Sequence, residues 1–170
     1  MNVPVPEGFA IRPSSLDDAE AFRECLDIVA RERRWLNFLE APSLGEIRRF
    51  LSDSRPIQLV AEGESGMAGW CDVTPDLREG FRHSGTLGMG LLPEFRGIGL
   101  GRALLVRTLD EAWQTGLSRI ELEVFGSNEA AMGLYEWAGF RLEGRKVAAR
   151  ILDGQEDDIV LMALLGGRDG

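Results

Sequence analysis

Three glycines at alternate positions, Gly97, Gly99 and Gly101, sit in LLPEFRGIGLGRALL (Leu91–Leu105) between a strand-like apolar run and a helix-like one. A glycine-rich strand-to-helix turn bends the backbone sharply or leaves room for a ligand against the main chain. A P-loop would close the turn with lysine, and the only lysine in the chain is Lys146. A dinucleotide fingerprint would place a third glycine where Arg102 stands, at the head of successive βαβ units that the preceding sequence lacks. What remains is a cradle of main-chain amides, running Arg96, Gly97, Ile98, Gly99, Leu100, Gly101 and Arg102, that meets a pyrophosphate with the positive end of the next helix. The alternative is a tight turn that needs only left-handed backbone.

The surrounding pattern predicts a mixed sheet with helices on both faces, in the order β-α-α-β-β-β-α-β-α-β-β. FAIRP (Phe9–Pro13) reads as a first strand, and Ser15 as the cap of a helix with Leu16, Ala19, Phe22, Leu26 and Val29 at helical spacing. Ser43 and Glu46 form a capping box for a second helix. PIQLVAEG and MAGWCDVT read as a hairpin, and SGTLGMGLLP as an extended run stopped by Pro93. A helix follows over Leu100–Thr115. RIELEVF alternates, with Ile120, Leu122 and Val124 on one side and Glu121 and Glu123 on the other. Asn128 caps a short helix stopped by Gly139, and Asp153-Gly154 marks a closing hairpin.

Composition narrows the function. A net charge of −9 argues against nucleic acid or an anionic membrane as the main partner and favours a cationic substrate such as an amine. No apolar run reaches the ~18–20 residues of a membrane span. The N-terminal residues have no basic, apolar leader pattern, so the cytoplasm is expected. Cys25 and Cys71 read as buried filler, and a single histidine, His83, excludes a multi-histidine metal site, so no metal is expected. With no repeat or linker, residues 1–170 read as one domain with flexible ends at 1–8 and 166–170.

RGIGLG (Arg96–Gly101) after Pro93 resembles the R-G-x-G-x-G/A signature of the GNAT superfamily of acyl-CoA-dependent N-acyltransferases. SNEAAMGLYEWAGF (Ser127–Phe140) resembles the second marker of that family, an asparagine followed seven residues later by tyrosine and then G-F. The resemblance is sharpest from Gly85 to about Arg145 and only topological before that. It implies a central, splayed, mostly antiparallel sheet of about seven strands, with acetyl-CoA in the gap. Met89 and Leu91 would then pair with the pantetheine arm, and Arg96–Arg102 would hold the pyrophosphate. Asn128 would bond the pantetheine arm or cap its helix, and the N–H of Leu91 or Leu92 would face the oxyanion.

The implied reaction is transfer of an acetyl group to a primary amine of an amino acid, small molecule or peptide N-terminus, in a ternary complex. Glu123 resembles the base of family members that acetylate a ribosomal protein N-terminus; Glu121, His83 and Asp72 are other candidates, and a solvated strand face is the plain alternative. Tyr135, the only tyrosine, would protonate the CoA thiolate, or would simply pack against the sheet. The family's acceptor site is walled by the first two helices, the loop between them and the hairpin before the last strand. That places Trp35 and Phe38 against a substrate and Arg33 or Arg34 on a carboxylate, unless they form an ordinary helix end. Two further readings stay open: a CoA-binding sensor that lacks transfer, and an enzyme using another acyl-CoA. Homodimers are common in such a family, and the apolar last strand would suit one.

Overall fold

A computed structural model describes residues 1–166. Its elements are β1 (Ala10–Pro13), α1 (Ala19–Arg31), α2 (Leu44–Ser52), β2 (Ile57–Gly63), β3 (Gly66–Pro75), β4 (Ser84–Leu91), α3 (Leu100–Gln114), β5 (Arg119–Phe125), α4 (Glu129–Trp137), β6 (Arg141–Leu152) and β7 (Gln155–Leu165). The seven strands form one sheet in the order β1-β2-β3-β4-β5-β7-β6. Every neighbouring pair is antiparallel except β4 and β5. Element order and sheet type are those the sequence pattern implies.

Both faces of the sheet are covered, which explains why β2 reads as a continuous apolar run. On one face α3 and α4 bury Leu59, Cys71, Val73, Leu87, Ile120, Leu122 and Val160. On the other, Phe22, Cys25, Leu26 and Val29 of α1 and Ile47 and Leu51 of α2 close over Val60 and Trp70. The two cysteines are free and buried, one in each core. Thr108, fully buried in α3, donates its hydroxyl to the Leu104 carbonyl at 2.8 Å and so leaves no orphan polar atom. No helix among the described residues is long and apolar enough to cross a membrane.

Local signals set the element ends. The Glu46 N–H donates to Ser43 Oγ (3.3 Å), and the Glu46 carboxylate accepts from the Ser43 N–H (2.9 Å), the reciprocal box expected. Asp153 and Gly154 both take positive φ (51° and 74°), as a two-residue hairpin turn of primed type requires. The first helix departs from expectation. Leu16–Asp18 forms a 3-10 turn before α1, and Leu16 is 51% exposed rather than on the apolar face. The cause is Asp18, whose carboxylate reaches back to the Ser15 N–H (2.7 Å) and tightens the turn. At the chain ends, Val5 packs against the α3-side core and the Gly166 N–H donates to Ser118 O. The rest of the C-terminal end expected to be flexible, 167–170, lies outside the described residues.

Asp18 also receives Arg12 through two bonds of 2.9 and 2.8 Å, and this guanidinium holds the carboxyl below its ordinary value. The folded-state pKa is depressed, so the contribution is complete above the unfolded value near 4 and disappears as pH falls through the folded one. Arg12 is partly exposed, which screens the pair. Asp18→Asn is therefore expected to cost only about 1 kcal/mol at pH 7. Urea titrations should show that difference from wild type shrinking below pH 4.

Candidate active site

Strands β4 and β5 pair only at Ser84/Arg119, Gly85/Ile120 and Thr86/Glu121, then part. Beyond Thr86, β4 stays with β3 up to Leu91, while β5 stays with β7. At the start of β4 the His83 carbonyl accepts from the Arg119 N–H; at its end the Leu92 N–H donates to Ala68 O of the β3 side (2.9 Å). Strand alternation therefore turns the main-chain groups of Met89 and Leu91 toward the gap and those of Gly88, Gly90 and Leu92 toward β3. This corrects one expectation: the Leu92 N–H is already bonded and cannot serve an oxyanion. Leu91 keeps its N–H free for the gap, while its carbonyl accepts from the Arg96 guanidinium (2.8 and 3.1 Å).

The glycine turn lies at the end of this gap. Pro93–Phe95 makes a 3-10 turn, then Gly97 (φ 77°) and Gly99 (φ 90°) take left-handed backbone. The first bond of α3 runs from Ala103 N–H to Gly99 O. Among the described residues, no partner takes the N–H groups of Gly97, Ile98, Gly99, Leu100, Gly101 or Arg102. Six successive donors at a helix start form an anion site by themselves. A Cβ on Gly97 or Gly99 would meet no protein atom within 4 Å, so within the protein these glycines answer to the backbone angle. Gly101 differs, since its Cβ would stand 3.2 Å from the Leu91 side chain. That clearance serves close packing of α3 on β4, a role for Gly101 beyond its place in the amide cradle.

The two flanking arginines diverge. Arg102 lies over the Trp137 ring (4.6 Å) and lines the cleft. Arg96 instead turns its guanidinium onto Glu32 at the end of α1 (2.9 and 2.5 Å), so its charge is not free for a phosphate. Glu32, which the sequence did not single out, is held below its ordinary value by Arg96 and also accepts the Trp35 indole N–H (2.6 Å). Through that pair the glycine turn is tied to the loop after α1. Leu100 is fully buried, so only its amide can serve the site, and Ile98 is exposed at the rim.

On the far wall, Asn128 Oδ1 accepts from the Ala131 N–H (3.2 Å), which makes it the cap of α4 while its side chain also lines the cleft. Tyr135 of α4 packs against Phe140 (ring centroids 5.7 Å apart) and is buried. Its hydroxyl has no hydrogen bond among the described residues, yet it is not sealed in, because Tyr135 lines the same cleft. Burial raises its pKa well above the ordinary phenol value, so the proton stays on at any working pH.

The cleft, about 1260 Å³, runs from the glycine turn through the β4/β5 gap to the α1–α2 face of the sheet. Its second arm is walled by Phe22, Leu26, Phe50 and Trp70 together with Trp35 and Phe38, the two aromatics expected there. Trp70 requires Gly90 opposite it, since a Cβ there would fall 2.3 Å from the indole. The arginines expected to hold a carboxylate do not line the cleft. Arg33, at φ 58°, pairs with Asp153 on the β6–β7 turn (2.8 and 3.0 Å), and Arg34 stacks on Trp35. Glu123 reaches the cleft but its carboxylate is paired with Lys146, while Glu121 is paired with Arg119 and His83 lies in a loop. Asp72 of β3 also lines the cleft and, among the described residues, makes no hydrogen bond or ion pair.

Comparison with known proteins agrees with this geometry. The acetyltransferase (GNAT) family model matches residues 21–140, and the chain belongs to that family. The ribosomal protein bS18-alanine N-acetyltransferase of Escherichia coli K12 is 41% identical over 70 residues, which are 41% of this chain and 47% of that protein. Mycothiol acetyltransferase of Kocuria rhizophila is 30% identical over 158 residues, 82% of this chain and 48% of that protein. The chain thus spans about half the length of the curated relatives it matches. A solved GNAT-family acetyltransferase from Streptococcus pneumoniae superposes with a TM-score of 0.86 at 28% identity, covering 92% of this chain and 99% of that one.

Proposed function

We propose that this chain transfers the acetyl group of acetyl-CoA to a primary amine by direct attack in a ternary complex. The observation that carries the reading is the run of six unpartnered amides, Gly97 to Arg102, opening onto the unpaired edge of β4 in one continuous cleft. The amides and the α3 dipole receive the pyrophosphate, with Arg102 as the remaining local cation. Met89 and Leu91 offer the pantetheine arm a strand edge of the right polarity. Leu91 N–H is the donor left for the thioester oxyanion. Tyr135 holds a proton for the departing sulfur. Asn128 fixes the start of α4, and thereby the position of Tyr135. Relatives named as a ribosomal-protein alanine N-acetyltransferase and a mycothiol acetyltransferase, and a net charge of −9, support an amine acceptor.

Acetyl-CoA at about 100 times its Kd should stabilise the fold by about 2.7 kcal/mol. For a domain of this size that corresponds to a rise in Tm of roughly 5–10 °C. A thiol-release assay over small amines and N-terminal peptides should then show turnover. Absence of acetyl-CoA binding by calorimetry would remove the proposal. Tight binding with no thiol released from any amine would favour a CoA-binding sensor instead.

A further inference from the structure

We propose that Asp72 receives the ammonium group of the acceptor and takes its proton, and that the acceptor is a primary amine on an aromatic or branched aliphatic body with no carboxylate beside the nitrogen. This rests on the transferase reading above and specifies its second substrate.

The placement comes from the register of the sheet. Asp72 stands opposite Gly88 of β4, one residue before Met89, and on the same face of β3 as Trp70. A Cβ on Gly88 would lie 3.4 Å from Asp72 Oδ1, so the carboxylate rests over a bare stretch of β4 at the edge of the gap. The register neighbour on β2, Gln58, spends its amide on the Phe50 carbonyl and on Ser14. Asp72 thus lies where the acceptor arm of the cleft meets the β4 edge, with no group among the described residues satisfying it.

The contrast with the other charges decides the sign of the substrate. Glu32 is held by Arg96, Glu123 by Lys146 and Glu46 by Ser43. Arg33 and Arg34 are committed to Asp153 and to the Trp35 ring. Among the described residues, the acceptor arm therefore offers one carboxylate without a hydrogen-bond partner among aromatic and aliphatic walls, and no uncommitted cation. A half-buried, unpaired charge is costly, and a ligand ammonium is the partner that relieves it. A carboxylate on the substrate would enter the same apolar arm next to Asp72 and be repelled.

Burial alone pushes the Asp72 carboxyl up to about 7. It is thus a stronger base than an ordinary carboxylate and still substantially ionised at neutral pH. The charged groups sharing the cleft with it are Glu46 from α2, Glu123 from β5, and Arg96 and Arg102 beside the glycine turn.

The step balances as follows. The Asp72 carboxylate removes one proton from R–NH3+, and the freed lone pair of R–NH2 attacks the thioester carbonyl carbon. A C–N bond forms, the C–S bond breaks with its electron pair leaving on sulfur, and the surplus proton on nitrogen reaches sulfur by way of the Tyr135 hydroxyl. Asp72 then returns its proton to water. The products are the acetamide, CoA thiol and one proton.

Matched acceptors test the proposal: phenethylamine against phenylalanine, and isoamylamine against leucine, with the wild type and Asp72→Asn. Acetyl-CoA Kd is measured on each protein by calorimetry. In the wild type, each amine should exceed its amino acid in kcat/KM by tenfold or more. Asp72→Asn should keep acetyl-CoA Kd within twofold, which also reports an intact fold. It should lose tenfold or more in kcat/KM for the amines, together with the rise in kcat/KM through pH 7. Preference for the amino acids overturns the proposal, as does wild-type turnover by Asp72→Asn with an unchanged pH profile. So does acetyl-CoA binding without turnover of either amine. Failure to bind acetyl-CoA would instead overturn the transferase reading.

Discussion

Tyr135→Phe is expected to lower kcat about 10²–10⁴-fold, the range lost when a positioned proton donor is removed, while acetyl-CoA Kd stays within about twofold. The substitution deletes one oxygen and keeps the ring that packs on Phe140. That oxygen makes no hydrogen bond among the described residues, so the folded state loses little with it. Tyr135 is also the only tyrosine in the chain, so no neighbouring phenol can substitute. Its raised pKa means that it cannot simply surrender a proton to a thiolate, which is the weaker base. The transfer must be coupled to refilling from the nitrogen, which sheds its surplus proton as the C–S bond breaks. The variant should therefore fail in turnover and not in binding. A kcat within threefold of wild type, with unchanged Tm and Kd, would show that the residue only packs.

The legible part of the fold was local. Strict alternation in β5, the Ser43–Glu46 box and the Asp153-Gly154 turn each specify an element from neighbours in sequence. The glycine turn was legible because glycine at positive φ has few substitutes. What the turn's flanks do was not legible. Arg96 reads as a pyrophosphate ligand until Glu32, 64 residues earlier, arrives beside it. Arg33 is taken by Asp153, 120 residues later, for the same reason. Surface ion pairs carry no periodicity, so a sequence does not announce them. Asp72 shows the opposite case. Alternation in β3 puts it on the face of Trp70, but only the packed structure shows a glycine opposite and no partner within reach. Gly101 was legible as a special position, though the contact that makes it special, Leu91, comes from the preceding strand.

The second large effect belongs to the turn itself. Gly99→Val should weaken acetyl-CoA binding by about 100-fold, with a cost to folding of roughly 1–2 kcal/mol for an L-residue forced into left-handed backbone. Valine at this site would collide with nothing, because the space around the Cβ position is empty to 4 Å. Within the protein itself, therefore, the cost comes from φ, which is 90° at Gly99. A β-branched residue relaxes toward negative φ, and doing so swings the N–H groups on either side away from a common focus. Gly80 provides the control. It too is left-handed (φ 87°) with open space at its Cβ position, but it does not line the cleft. Gly80→Val should lose a similar amount of stability in urea titrations and leave acetyl-CoA Kd unchanged. If both variants lose affinity equally, general destabilisation explains the result and the amide cradle does not. If only Gly99→Val loses it, the glycine turn is what binds the cosubstrate.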